Sequence, residues 1–258
     1  MSRLRFWNEK AETMSRDELS ATQLERLKWT VKHVWSNNDF YRDKLTECGI
    51  EPGDVRSLDD LKRLPFLTKE DFRDQYPLKM LCAPRNAARE MHMSSGSTGT
   101  PVVMAYTETD LVQWAECMAR CQVMAGMQPG DTLQIMPTFG LFNGGVGFFH
   151  GARLAGLFIV PASSGNTARQ IMLMRDFKVR GIGSVVSYAS RIIEMLDEQG
   201  LELPDLEIGI FGAESFSDEM RRRVEARLGI KAFDIYGMTE TGGVGTTGMD
   251  CEARCGIH

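Results

Sequence analysis

From about residue 110 onward the chain alternates short apolar runs with amphipathic stretches, and that alternation leaves few folds open. The runs at 132–136, 157–160, 183–186, 208–211 and 232–235 are four or five residues long, too short for helices and suited to buried strands. Helical patterns lie between them, at 168–177, 191–198 and 218–228, with Ser217 as N-cap of the last. A further helix over 110–127 precedes the first run and stops at Pro129-Gly130. Strands separated by helices form βαβ units, so the expected fold is α/β, a mostly parallel sheet flanked by helices on both faces. In such sheets ligands bind beyond the carboxyl ends of the strands. The segments at 139–140, 212–214 and 236–240 each follow one of the strand runs.

The first 90 residues read differently. Ser15 and Glu18 make a capping box, and Leu24, Leu27, Val31 and Val34 follow at helical spacing. Thr68 with Asp71 repeats the cap, and Pro52, Pro65, Pro77 and Pro84 divide the region into short pieces. The expected organisation is a helical lead-in over 1–90 packed on an α/β core over 91–258.

Charge and composition exclude several classes. A net charge of −5 gives no electrostatic footprint for nucleic acid. The one basic cluster, Arg221-Arg222-Arg223 beside Glu219 and Glu225, reads as a solvated helix face. No apolar run approaches the roughly 20 residues that cross a bilayer, and the first residues lack a signal-peptide core. The expectation is a cytoplasmic protein with no membrane partner, whose six cysteines are reduced thiols. Cys117 and Cys121, four apart on an apolar helix, read as core, as do most of the 16 methionines.

The chemistry-bearing segments are few. Ser94-Ser95-Gly96-Ser97-Thr98-Gly99-Thr100-Pro101 concentrates hydroxyls and glycines, a composition that curls tightly and aims donors at an anion. It lacks the G-x-x-x-x-G-K-[ST] pattern of the common nucleotide loop. Downstream stand Met136-Pro137-Thr138-Phe139-Gly140-Leu141-Phe142-Asn143-Gly144-Gly145, then Phe211-Gly212-Ala213-Glu214, then Asp234-Ile235-Tyr236-Gly237-Met238-Thr239-Glu240. Together, in this order, these four segments resemble the adenylate-forming enzymes, and among them the phenylacetate–coenzyme A ligase family. The first is similar to its S-S-G-T-T-G-K-P loop and the last to its D-x-Y-G-x-[ST]-E motif.

The resemblance implies ATP-dependent activation of a carboxylic acid, aryl or arylacetic, to acyl-AMP and then transfer to coenzyme A. Ser94, Ser95, Gly96, Ser97, Thr98 and Gly99 would hold the β and γ phosphates. Tyr236, with Gly212, Ala213 and Asp234 beside it and Gly237 turning the chain, would carry the adenine. Thr239 would reach the α-phosphate, and Glu240 would hold Mg²⁺. Glu214 would bind ribose, adenine or a backbone N–H. Phe139, Gly140 and Phe142 would line the acyl pocket. Thr100 stands where the family usually has Lys, so either another cation such as Arg85 or Arg89 compensates or ATP binds more weakly.

Cys251, Cys255 and His258 place three soft or borderline ligands within eight residues, which suits a structural Zn²⁺ site with a fourth ligand elsewhere, or equally a set of unrelated thiols. The family continues well past its Y-G-x-[ST]-E motif, so the resemblance implies that this chain is the N-terminal portion of a ligase, with low activity alone. A homodimer is compatible with the resemblance. Adenylation for a different acceptor, such as a carrier protein, and a non-catalytic nucleotide- or zinc-binding module remain the competing readings.

Overall fold

The computed structural model describes residues 3–96 and 99–258. They divide into two compact units, one spanning Asn8–Glu108 and the other running from Thr109 to His258 with residues 3–7.

The first unit is mostly helical. Its helices are α1 (Glu9–Glu12), α2 (Arg16–Asn37), α3 (Asp39–Glu47) and α4 (Lys69–Asp74). Helix α2 starts where the sequence says it should: Ser15 accepts from the Glu18 N–H, and Glu18 returns to the Ser15 N–H at 2.9 Å. The cap at Thr68 forms in the same way at the start of α4. Val31, Leu45, Ile50 and Val55 make a small core, against which Leu24, Leu27 and Val34 pack. The unit ends in an antiparallel hairpin, β1 (Ala88–Met93) and β2 (Val103–Thr107), with Met93 opposite Val103. The hydroxyl- and glycine-rich loop is the connection of this hairpin, on the helical side of the division.

The second unit is the α/β layer structure. Its elements alternate as α5 (Glu108–Met124), β3 (Thr132–Ile135), α6 (Asn143–Leu154), β4 (Phe158–Val160), α7 (Thr167–Asp176), β5 (Gly181–Ser184), α8 (Val186–Gln199), β6 (Ile208–Gly212), α9 (Asp218–Leu228), β7 (Lys231–Met238) and β8 (Gly243–Met249). The strand order is β4-β3-β5-β6-β7-β8, parallel from β4 through β7, with β8 antiparallel on the edge. One face is covered by α7, α8 and α9, whose Ile171, Ile192, Leu196 and Val224 are buried with Ile182 and Phe211 of the sheet. On α5 and α6, Met118, Ala119 and Phe148 are buried. β3 lies between β4 and β5, so successive crossovers leave it in opposite directions, which opens a crevice at the carboxyl ends of β3 and β5.

Two sequence expectations are corrected here. Arg221 is not on a solvated face: it is 6% exposed and ion-paired to Asp250 at 2.7 Å, while Arg222 and Arg223 are exposed. On a helix only one of three consecutive residues faces inward, and here it is Arg221. The run at 232–235 is also the middle of a longer strand. β7 continues through Tyr236, Gly237 and Met238, because β8, a glycine-rich segment with no apolar signature, pairs with it.

Candidate functional site

In the second unit the residues singled out from sequence gather where the parallel strands end. Tyr236 lies near the end of β7, opposite Gly248 of β8, and is 46% exposed. Gly237 allows the two strands to close: a Cβ there would stand 2.1 Å from the Gly243 carbonyl oxygen, so no other residue fits without parting them. The chain then turns through one 3₁₀ turn, Thr239–Thr241. Thr239 is buried, and its Oγ accepts a hydrogen bond of 3.1 Å from the Asn143 side-chain amide. With that lone pair engaged, the hydroxyl hydrogen of Thr239 is available to an anionic oxygen. Glu240 is half-buried, and its carboxylate takes no protein partner among the described residues. One such carboxylate is what Mg²⁺ uses together with phosphate oxygens, so the residue fits a magnesium ligand.

Asn143 is the residue the sequence reading passed over. It sits inside the quoted glycine-rich segment, as the first residue of α6. The only signal that could have marked it is its place at a helix start after β3; its partner lies 96 residues away.

Glu214 has its partner in this structure. It accepts from the Ser187 N–H at 3.0 Å and from the Ser187 hydroxyl at 2.7 Å. Helix α8 begins at Val186 after Val185, which has no capping side chain, so the carboxylate closes the helix start from the neighbouring strand end. Of the options left open for Glu214, the backbone N–H contact is present. Between Gly212 and Glu214, Ala213 adopts φ 66°, a left-handed conformation that costs about 1–2 kcal/mol outside glycine.

Asp234 points into a charged cluster. Its N–H donates to Asp250 at 2.8 Å, and Asp250 pairs with Arg221, whose guanidinium lies over the Phe216 ring and donates to the Ala232 carbonyl at 2.7 Å. Burial, and next the Asp250 charge, push the Asp234 carboxyl above the ordinary carboxylate range, with Arg221 acting against both.

The acyl-pocket residues divide. Phe139 is half-buried with its ring 6.2 Å from Phe149, edge to face. Gly140 and Phe142 are exposed, Phe142 at the entry to α6. The same stretch also supplies core: Phe148 is buried.

In the first unit, the hairpin loop is tied at its base. The Ser94 N–H donates to Val102, and the Val102 N–H donates to Ser94 Oγ at 2.9 Å, so Ser94 shapes the loop. Gly96 and Gly99 have φ 65° and 136°, and the Gly99 N–H closes on Gly96 at 3.0 Å. Ser95 lies between these tied residues; Ser97 and Thr98 are outside the described residues. Arg85 and Arg89 are exposed and line an open cleft with Tyr76, Pro77 and Met91.

The zinc expectation is not met as stated. His258 Nε2 is 3.1 Å from Cys251 Sγ, because residues 257–258 fold back on β8, but Cys255 is exposed. Among the described residues no group of three His, Cys, Asp or Glu side chains converges on a metal position. Nor is any described helix long and apolar enough to cross a membrane.

A parallel sheet whose strand ends carry an exposed tyrosine, a buried threonine and a glutamate with no partner among the described residues agrees with the match of residues 42–257 to the AMP-binding enzyme family, and the chain belongs to that family. Within it, the chain is 43% identical over 242 residues to a phenylacetate–coenzyme A ligase of Pseudomonas putida and 42% identical over 243 residues to that of Escherichia coli K12. Each alignment covers 93% of this chain and 55% of the relative, so the chain spans about half the length of the curated relatives it matches. Among solved structures it is similar to 2-hydroxyisobutyryl-CoA ligase in the postadenylation state, with TM-score 0.91 and 26% identity over 98% of this chain and 56% of that one.

Proposed function

We propose that this chain serves ATP-dependent activation of a carboxylic acid, aryl or arylacetic, as part of an acyl-CoA ligase. A carboxylate oxygen attacks the α-phosphorus of ATP, the bond to the β-phosphate oxygen breaks, and acyl-AMP and pyrophosphate result. The coenzyme A thiol then attacks the acyl carbonyl, and AMP leaves. Joining two anions is limited by charge and position, so the chain's task is to bind and orient.

The observation that carries the reading is the Asn143–Thr239–Glu240 arrangement: a hydroxyl primed to donate is followed in the chain by a carboxylate with no partner among the described residues. Thr239 donates to the α-phosphate, and Tyr236 offers an exposed ring to adenine. Glu240 holds Mg²⁺, which offsets phosphate charge when bound. Phe139 and Phe142 with Gly140 favour a flat apolar acid. The solved 2-hydroxyisobutyryl-CoA ligase complexes contain 2-HIB-AMP and CoA, which supports the same pair of half-reactions here. For zinc, the reading extends as far as the Cys251–His258 pair, two ligands that need others; elemental analysis of protein purified without added metal tests it, and a metal-free, equally stable protein ends it.

The test is acid-dependent pyrophosphate release from ATP with a panel of aryl and arylacetic acids, beside titration of ATP–Mg²⁺ against wild type and Glu240→Ala. Release without thioester formation would redirect the reading to another acceptor. AMP binding with no turnover of any acid would leave a non-catalytic module. Equal magnesium-dependent binding by wild type and Glu240→Ala would remove Glu240 as the metal ligand.

A further inference from the structure

Trp114 carries no chemistry that its place in the sequence announces: it is one apolar residue of a helix with an apolar face. The structure gives it three contacts beside the Asn143–Thr239 hydrogen bond. The residue is 2% exposed, and its Nε1–H donates to the Val244 carbonyl of β8 at 2.9 Å. On α6, a Cβ built at Gly147 would stand 2.6 Å from Trp114 Cζ2. On β8, a Cβ built at Gly243 would stand 2.7 Å from the same atom. The six-membered edge of the indole is therefore wedged between α6 and β8 and meets backbone on both sides.

The wedge lies one turn from the site. Asn143 and Gly147 are four apart on α6 and share a face. The first donates to Thr239 and the second receives the indole. On the facing segment, the 3₁₀ turn begins at Thr239, and the Gly242 N–H closes it on the Thr239 carbonyl at 3.1 Å. Gly243 then opens β8 against the indole. One ring thus sets the separation of the two segments that the Asn143–Thr239 bond joins. The fit is close: the Gly147 Cβ would also stand 2.5 Å from Val244 Cγ1. Packing this dense transmits a displacement instead of absorbing it.

We propose that Trp114 is a positioning residue for the Thr239 hydroxyl: it sets the α6–β8 spacing at which Asn143 engages the Thr239 oxygen and leaves the hydrogen for the α-phosphate. The proposal rests on the nucleotide reading above. Phenylalanine in its place loses the N–H and the outer part of the ring, so α6 settles toward β8 and the Asn143–Thr239 geometry changes. Trp114 acts through Thr239, so the effect of its loss on nucleotide binding is bounded by that of losing the Thr239 hydroxyl.

Calorimetric titration of ATP–Mg²⁺, AMP and adenosine against wild type, Trp114→Phe, Gly147→Ala, Thr239→Val and Trp114→Phe with Thr239→Val tests it, with a thermal melt of each variant. Trp114→Phe should weaken ATP and AMP by about fivefold or more, no further than Thr239→Val does. It should leave adenosine, which has no phosphate, within about twofold. Gly147→Ala overfills the wedge from the α6 side and should give the same pattern. In the Thr239→Val background, Trp114→Phe should still lower the melting temperature but leave ATP affinity unchanged. Wild-type affinity for ATP and AMP in either folded variant, an equal loss for adenosine, or the same further loss in the Thr239→Val background overturns the proposal and leaves Trp114 a packing residue. A wild type that binds none of ATP, AMP and adenosine overturns the nucleotide reading, and this proposal with it.

Discussion

Replacing Arg221 should be the most damaging single change in the second unit, although it lies within a run of three arginines. In Arg221→Met the methionine fills much of the same volume, but Asp250 keeps a buried carboxylate with the Asp234 N–H as its remaining donor. The Ala232 carbonyl also loses its 2.7 Å donor, and Phe216 loses the cation over its ring. Removing one partner of a buried pair costs about 3–5 kcal/mol, against about 5–15 kcal/mol for a whole domain. For a unit of this size that lowers the melting temperature by roughly 6–20 °C. The same change at Arg222 or Arg223, both exposed, should cost less than about 0.5 kcal/mol. Urea denaturation with thermal melts at pH 7 measures this. Adding Asp250→Asn to Arg221→Met should recover much of the loss, since Asn can still accept from Asp234. A loss below about 1 kcal/mol for Arg221→Met, or no rescue in the double variant, would refute the claim that the ion pair clamps α9 to β7 and β8.

Three further outcomes follow from the site. Asn143→Asp cannot donate to Thr239, so the threonine hydroxyl turns to the new carboxylate; ATP affinity should fall by about tenfold, and Thr239→Val should abolish the difference between Asn and Asp at 143, whereas additive effects would deny the coupling. Glu214→Ala should cost about 1 kcal/mol and speed hydrogen exchange in the first turn of α8; unchanged exchange with a collapse of nucleotide affinity would make Glu214 a ligand contact instead. Asp234 has a folded value raised above 3.8, so the stability it contributes is present below that value and lost as pH rises through the raised one. Asp234→Asn should therefore gain on wild type as pH climbs from about 4 towards 7, and a constant difference over that range would count against the assignment.

Local chemistry determined a good deal of this protein on its own. The caps at Ser15, Thr68 and Ser217 are contacts between residues three apart, so composition and spacing were enough to find them. The alternation of short apolar runs with helices was enough for the parallel sheet, because a strand buried on both faces must be apolar throughout. It also placed Phe139, Gly212 and Glu240 at or beyond strand ends. What the sequence could not carry were partnerships between residues far apart in it. β8 is glycine and threonine, and becomes a strand only because β7 offers an edge to pair with. Arg221 looks like its two neighbours until Asp250 is folded against it. Thr239 gains its donor from Asn143, and Glu214 its task from Ser187. Cys251 and His258 do meet, but exposed Cys255 does not complete a metal site with them. Spacing along a chain fixes which residues share a helical turn or a strand face, but the direction of a loop and the identity of a distant partner are set when the layers pack.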